Sequence, residues 1–325
     1  MSDAVLELQD LHVWFDLEGG RELHAVQGVS FSLEPGEKLG LVGESGCGKT
    51  TTILGVMGLL PPSASVAGRV LLEGENLLAR GEETVQPHRW RDIAMVFQGA
   101  MNAFNPVERI RDQIVEPMEL HGIAEGKLAR RQAEELFELV GIPASRLDRY
   151  PHEFSGGMRQ RAAIAMALAC KPKVLLADEP TTALDVMVQA QILRLLVGLT
   201  TDLGLSLVLV THDLPVVAQT CDRAAVMYAG RIVELGTMDA LYHDPRHPYT
   251  RLLFSATPDL TGERELASIP GAPPRLDREL EGCPFAPRCD RTFAPCRSVA
   301  PRARVVAEGH EAECHLNDPA MRAAS

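Results

Sequence analysis

Along residues 5–34 apolar and polar side chains alternate, with Gly19-Gly20 between the two halves. A period of two sends successive side chains to opposite faces of a sheet, so this stretch predicts a hairpin or small antiparallel sheet. The pattern then changes. KLGLVG (38–43) is a short apolar run, followed by a glycine-rich loop and by TTILGVMGLL (51–60), which suits a helix closed by Pro61-Pro62. VLLEG (70–74) and DIAMVFQ (92–98) read as further strands. Residues 107–141 have helical spacing, and Leu128, Leu136, Phe137 and Val140 fall on one predicted core face. KVLLADEP (173–180) and LSLVLVTHD (205–213) read as buried strands flanking a helix through ILRLLVGL, and AAVMYAGRIVELG (224–236) as a late strand pair. Apolar strands alternating with helices imply an α/β fold: a parallel sheet covered on both faces.

After about residue 243 the pattern fades. Prolines crowd at 245, 248, 258, 270, 273, 274, 284, 287, 295 and 301, and few long apolar runs remain. A boundary therefore falls near 245–260, with a large domain over 1–245 and a small appended one over 246–325. A length of 325 residues agrees with one large domain plus a smaller one.

Composition narrows the function classes. With 32 basic and 44 acidic residues the net charge is −12, which argues against non-specific binding to nucleic-acid phosphates. The start, MSDAVLELQD, has neither the basic nor the apolar region of a signal peptide, and no run approaches the roughly 18 apolar residues of a membrane span. The expected compartment is the cytosol, where stable disulfides are rare.

GESGCGKT (43–50) fits G-x-x-x-x-G-K-[ST] between a predicted strand and a predicted helix. Gly43, Gly46 and Gly48 let the backbone curl, so that N–H groups of Gly43, Glu44, Ser45, Gly46, Cys47 and Gly48 can face phosphate oxygens. The following helix start, through Thr50 and Thr51, adds a favourable dipole. Lys49 is placed for the β- and γ-phosphates and Thr50 for Mg²⁺. In VLLADE (174–179) a buried strand ends on two carboxylates. Asp178 is expected to hold Mg²⁺ and Glu179 to orient or deprotonate an attacking water.

Between these two motifs lies FSGGMRQRAAIAMAL (154–168), and here the chain resembles the ATP-binding subunits of ABC transporters. Gln98 in MVFQ matches that family's Q-loop and Mg²⁺ contact, Asp185 in TTALD its D-loop, and His212 in VTHD its switch histidine. Phe15 sits where the family stacks a ring on adenine, with Trp14 as the neighbouring alternative. The resemblance implies a P-loop NTPase (RecA-like) core, an N-terminal antiparallel β subdomain and a helical subdomain at about 99–160. It also implies that Ser155, Gly156 and Gly157 bind ATP held by a second ATP-binding subunit. Met158 replaces the family's usual glutamine. FSGGMRQR, NPVERIRDQI, LDVMVQAQIL and HPYTRLL resemble the peptide/nickel importer branch, in which two different ATP subunits pair. The implied partners are that subunit, two transmembrane permease subunits and, indirectly, an extracytoplasmic substrate-binding protein. The implied place is the cytoplasmic face of the membrane. A soluble ABC-type ATPase acting on ribosomes or nucleic acid is the alternative, opposed by the single P-loop and the acidic charge.

Four of the seven cysteines, Cys283, Cys289, Cys296 and Cys314, lie in the appended segment. In the cytosol a metal cage explains them better than disulfides or scattered thiols. Four thiolates suit Zn²⁺ or a [4Fe–4S] cluster, and the uneven spacing and the branch resemblance favour iron–sulfur. His310 and His315 are the reserve ligands.

Overall fold

The computed structural model describes residues 4–99, 103–182, 184–256, 268–278 and 280–323. In chain order its first elements are β1 (Leu6–Leu17), β2 (Arg21–Leu33), β3 (Lys38–Val42), α1 (Lys49–Met57), β4 (Ala64–Leu72), β5 (Glu75–Asn76), α2 (Glu82–Val85), β6 (Ile93–Val96), α3 (Ile110–Leu120), α4 (Gly126–Leu139) and α5 (Gly156–Ala167). They continue as β7 (Val174–Asp178), α6 (Val186–Leu203), β8 (Ser206–Thr211), α7 (Leu214–Thr220), β9 (Arg223–Tyr228), β10 (Arg231–Thr237), α8 (Met238–His243), α9 (Pro248–Ser255), β11 (Arg304–Ala307), β12 (His310–Ala312) and α10 (Pro319–Ala323). The chain divides into two compact units. Residues 1–6, 33–38 and 77–210 form the first, and residues 7–32, 39–76 and 211–325 the second.

In the first unit β6, β7 and β8 run parallel, with Ile93 opposite Val174 and Val174 opposite Ser206. Every residue of β7 and β8 is buried, which is why both read as continuous apolar runs rather than alternating ones. The crossover between them is α6. It is long and apolar enough to span a membrane by length and composition, yet its buried residues Ile192, Leu196, Leu199 and Thr200 form one stripe at helical spacing. Burial of each of the three aliphatic side chains is worth about 1.5–3 kcal/mol. Asp185 caps its start, and Gly204, at φ +64°, closes its end.

The helical stretch expected over 107–141 is two helices, α3 and α4. Between them Gly122 takes φ +63°, a left-handed turn that ends a helix at little steric cost. α3, α4 and α5 pack on one another. The core face of α4 differs from the expected one. Ala129, Ala133 and Phe137, spaced by four, are fully buried, as is Val140, whereas Leu128 is 44% exposed. Small alanines let the helices approach closely, and an apolar pattern weighted by leucine overlooks them.

In the second unit β1 and β2 turn at Gly19 and Gly20, both at positive φ, and join a sheet of order β2-β1-β4-β5. Alternation in β1 slips by one residue at Asp10 (φ +51°), so that Leu6 and Leu8 and then Leu11 and Val13 are buried. One extra residue of this kind re-phases a strand as a β-bulge does. A second run of strands has the order β3-β9-β10-β12-β11. β3 and β9 are parallel, and the C-terminal hairpin β11–β12 adds antiparallel to β10, with Glu234 opposite Ala312. Without a hydrogen-bonding partner that edge would present open backbone groups.

Candidate functional site

The glycine-rich loop expected to bind phosphate leaves the buried strand β3 at Gly43. Gly43 has φ +151°, and a side chain there would collide with the backbone carbonyl of Met227. Gly48 has φ +106°, with Ala25 O only 2.7 Å from where a Cβ would stand. Both positions therefore require glycine. Gly48 also precedes α1 without any side-chain cap, and a helix start favours a nearby anion. Lys49 is 6% exposed, and its ammonium spans the loop, donating to Gly43 O (2.8 Å) and Glu44 O (3.0 Å). Ser45, Gly46 and Thr50 are exposed, and Thr51 is half-buried. Cys47 is buried, and burial pushes its thiol pKa up, so it fills space as a neutral thiol.

In the first unit Asp178, 1% exposed, ends β7 opposite Val210. Glu179 follows at φ +41°, a left-handed conformation strained for a residue with a side chain. Its N–H donates to Val210 O at 2.8 Å, and its Oε2 accepts from Gln98 Nε2 and Thr182 Oγ1, both at 2.9 Å. The fold thus brings together the Gln98 amide and the acid after β7, 81 residues apart. The Thr182 hydroxyl was not anticipated from the sequence.

Ser155 is the N-cap of α5, accepting from Met158 N–H at 3.3 Å. Position 158 contributes only its backbone N–H to that cap, a contact that methionine makes as well as glutamine. Gly156 and Gly157 form the first turn, and a Cβ on Gly157 would stand 2.7 Å from Val188 Cγ1 on α6. Asp185 caps α6 by accepting from Val188 N–H at 3.0 Å.

In the second unit His212 is exposed and lies between Thr211 and Asp213, the residue that caps α7. Phe15 is half-buried on β1. Its neighbour Trp14 is already stacked, 5.2 Å from His12 and 4.6 Å from His24.

Cys283 and Cys289 are half-buried, and Cys296 and Cys314 buried. Cys283 N–H donates to Cys296 O at 2.8 Å. Burial, reinforced by neighbouring thiolates, pushes Cys283 up to about 11 and Cys314 up to about 12. Among the described residues, however, no three His, Cys, Asp or Glu side chains are arranged to hold a metal ion. The reserve ligands are also committed elsewhere. His310 Nε2 pairs with Glu234 at 2.7 Å, and His315 Nε2 with Val299 O at 2.8 Å.

Comparison with known proteins finds an ABC transporter family model matching residues 26–182, and an oligopeptide/dipeptide transporter C-terminal region model matching residues 233–296. The dipeptide transport ATP-binding protein DppD of Bacillus subtilis is 47% identical over 97% of this chain and 96% of its own length. The oligopeptide transport ATP-binding protein OppD of the same organism is 49% identical over 87% of this chain and 81% of its own. Among solved structures, the dimeric ATP-binding cassette MJ0796 bound to ADP and Pi matches with a TM-score of 0.63 at 26% identity, covering 72% of this chain and 98% of that one.

Proposed function

Because the chain belongs to the family of ABC transporter ATP-binding proteins, we propose that it is the ATP-hydrolysing subunit of an importer for dipeptides or oligopeptides. The observation that carries this reading is the complete phosphate loop on a buried strand, in one chain with the C-terminal region that marks oligopeptide/dipeptide transporters. The subunit works at the cytoplasmic face of the membrane, through permease subunits.

The roles follow from the chemistry of each group. The loop N–H groups over residues 43–50, apart from those of Glu44 and Cys47, which the protein itself engages, and the Lys49 ammonium bind the phosphates of ATP, and Phe15 stacks on the adenine. Thr50, Gln98 and Asp178 offer the oxygen donors that Mg²⁺ takes, and that ion neutralises phosphate charge during hydrolysis. Ser155, Gly156 and Gly157 present a helix N-terminus to the nucleotide of a second, different ATP-binding subunit, and Asp185 lines the same junction. Closure of the pair moves the permease helices. Glu179 takes a proton from the attacking water while Gln98, hydrogen-bonded to it, keeps it aimed. His212 steadies the γ-phosphate.

Cys283, Cys289, Cys296 and Cys314 are assigned to a [4Fe–4S] cluster or Zn²⁺ on donor chemistry, since the chain gathers four thiols in one neighbourhood. Such a site would staple the proline-rich segment and takes no part in hydrolysis. Iron, sulfide and zinc assays on protein purified without oxygen test it, and the absence of all three refutes it.

The function is tested by reconstituting the chain with its permease subunits and the second ATP-binding subunit in vesicles, supplying the substrate-binding protein, and measuring uptake of labelled di- to pentapeptides. Uptake should require ATP and vanish in Lys49→Ala. Peptide uptake unaffected by that substitution would overturn the reading.

A further inference from the structure

The sequence places a carboxylate, Glu44, at the second position of a loop whose N–H groups gather anions. A negative charge there opposes a triphosphate. The structure supplies a counterweight from far along the chain. Arg288 makes a two-pronged ion pair with Glu44, Nη1 to Oε2 at 2.6 Å and Nη2 to Oε1 at 2.9 Å, across 244 residues of sequence. Its side chain is 4% exposed, and its Nε donates to Pro270 O at 2.7 Å. Nη1 also stands 3.3 Å from the Tyr228 hydroxyl. The same loop residue is held by its backbone, because Glu44 N–H donates to the Tyr249 hydroxyl at 2.9 Å. Tyr228, Tyr249 and Phe285 pack ring to ring within 5.4 Å behind these contacts.

We propose that Arg288 is a positioning residue for nucleotide binding: it cancels the charge that Glu44 brings to the phosphate loop, so that the C-terminal segment sets the affinity for ATP. The proposal rests on the reading of residues 43–50 as the phosphate site. The buried, doubly bonded guanidinium suits this task, since a planar fork loses little freedom on binding a carboxylate. Arg288 ends the short turn Ala286–Arg288 directly before Cys289, so the cysteine segment is what holds the clamp in place.

The charge argument separates this role from simple stabilisation. Arg288→Met leaves Glu44 unneutralised beside the phosphates and should weaken ATP about tenfold, a typical size for one charge at the edge of a site. Glu44→Gln in the same background removes the opposing charge and should bring affinity back to within about threefold of the parent. A merely structural ion pair predicts no such recovery, because the double variant lacks the pair as well. The experiment is equilibrium binding of a fluorescent ATP analogue with Mg²⁺ to the full chain, at low and high salt. The loss in Arg288→Met should shrink at high salt, and steady-state turnover should show KM moving more than kcat. Parent-like affinity in Arg288→Met, or a double variant as weak as Arg288→Met, overturns the proposal. If Arg288→Met does not fold, Arg288→Gln, which also lacks the charge, is judged by the same two criteria. Lys49→Ala is the control. If it retains nucleotide, the phosphate-site reading falls and the clamp with it; if it loses nucleotide while Arg288→Met binds normally, the clamp alone is wrong.

Discussion

Acidification should destabilise this protein through His247. The residue is the N-cap of α9, is 2% exposed, and accepts the Tyr249 N–H on Nδ1 at 3.0 Å. Its ring centroid lies 5.8 Å from that of Phe285. Burial lowers its pKa from 6.5 to about 4, and the Glu234 carboxylate offsets only part of that fall. In the unfolded chain the imidazole takes a proton as pH drops below 6.5, whereas the folded form resists until about 4. The unfolded state therefore binds more protons across this window, and stability falls with pH. The gap, at about 1.36 kcal/mol per pH unit, amounts to about 3 kcal/mol. His247→Asn keeps a side-chain acceptor at the cap and cannot titrate. Urea unfolding of parent and variant at several values between about pH 7.5 and pH 4 measures the difference. The parent should be the more stable near neutrality, because asparagine leaves part of the ring's volume empty, and its advantage should shrink by about 3 kcal/mol at the acid end. Parallel stability curves across the whole range would refute the reasoning.

Glu179→Gln should lower ATP turnover by at least about 10²-fold while nucleotide still binds, because the amide oxygen can accept from Gln98 and Thr182 but cannot take a proton. Phosphate release by the assembled transporter checks this, and parent-like turnover would remove Glu179 from its role. Gly157→Ala should lower stability by about 1–3 kcal/mol through overpacking on Val188, read as a lower melting temperature. Glu234→Ala leaves two backbone donors, Arg246 N–H and His247 N–H, and the His310 ring without their buried acceptor. It should cost about 3–5 kcal/mol and open the C-terminal hairpin to limited proteolysis, whereas unchanged protease resistance would show that the carboxylate does not hold that hairpin.

Local signals were legible in the sequence because their physics is local. GESGCGKT needs only a strand, three glycines and a helix start, and all lie within one continuous stretch. β7 and β8 were readable as continuous apolar runs because both faces are covered. The alternating phase of β1 and β2 marked a hairpin for the same kind of reason, although the slip at Asp10 did not show. Where side-chain size rather than polarity decided packing, the reading failed. Leu128 faces out and Ala129 faces in, since two helices can approach closely over alanine.

Long-range closure was another matter. Nothing in CPFAPRC announces that its arginine ends on the phosphate loop, or that Thr182 and Gln98 share one oxygen of Glu179. The composition of residues 246–325 reads as a separate appendage, yet β12 pairs with β10, and Arg288 and Tyr249 hold Glu44. Residue types and local spacing chose the chemistry and the elements. Which distant groups meet depends on strand pairing and buried charge compensation, and these exist only once the chain has folded and excluded water from both partners.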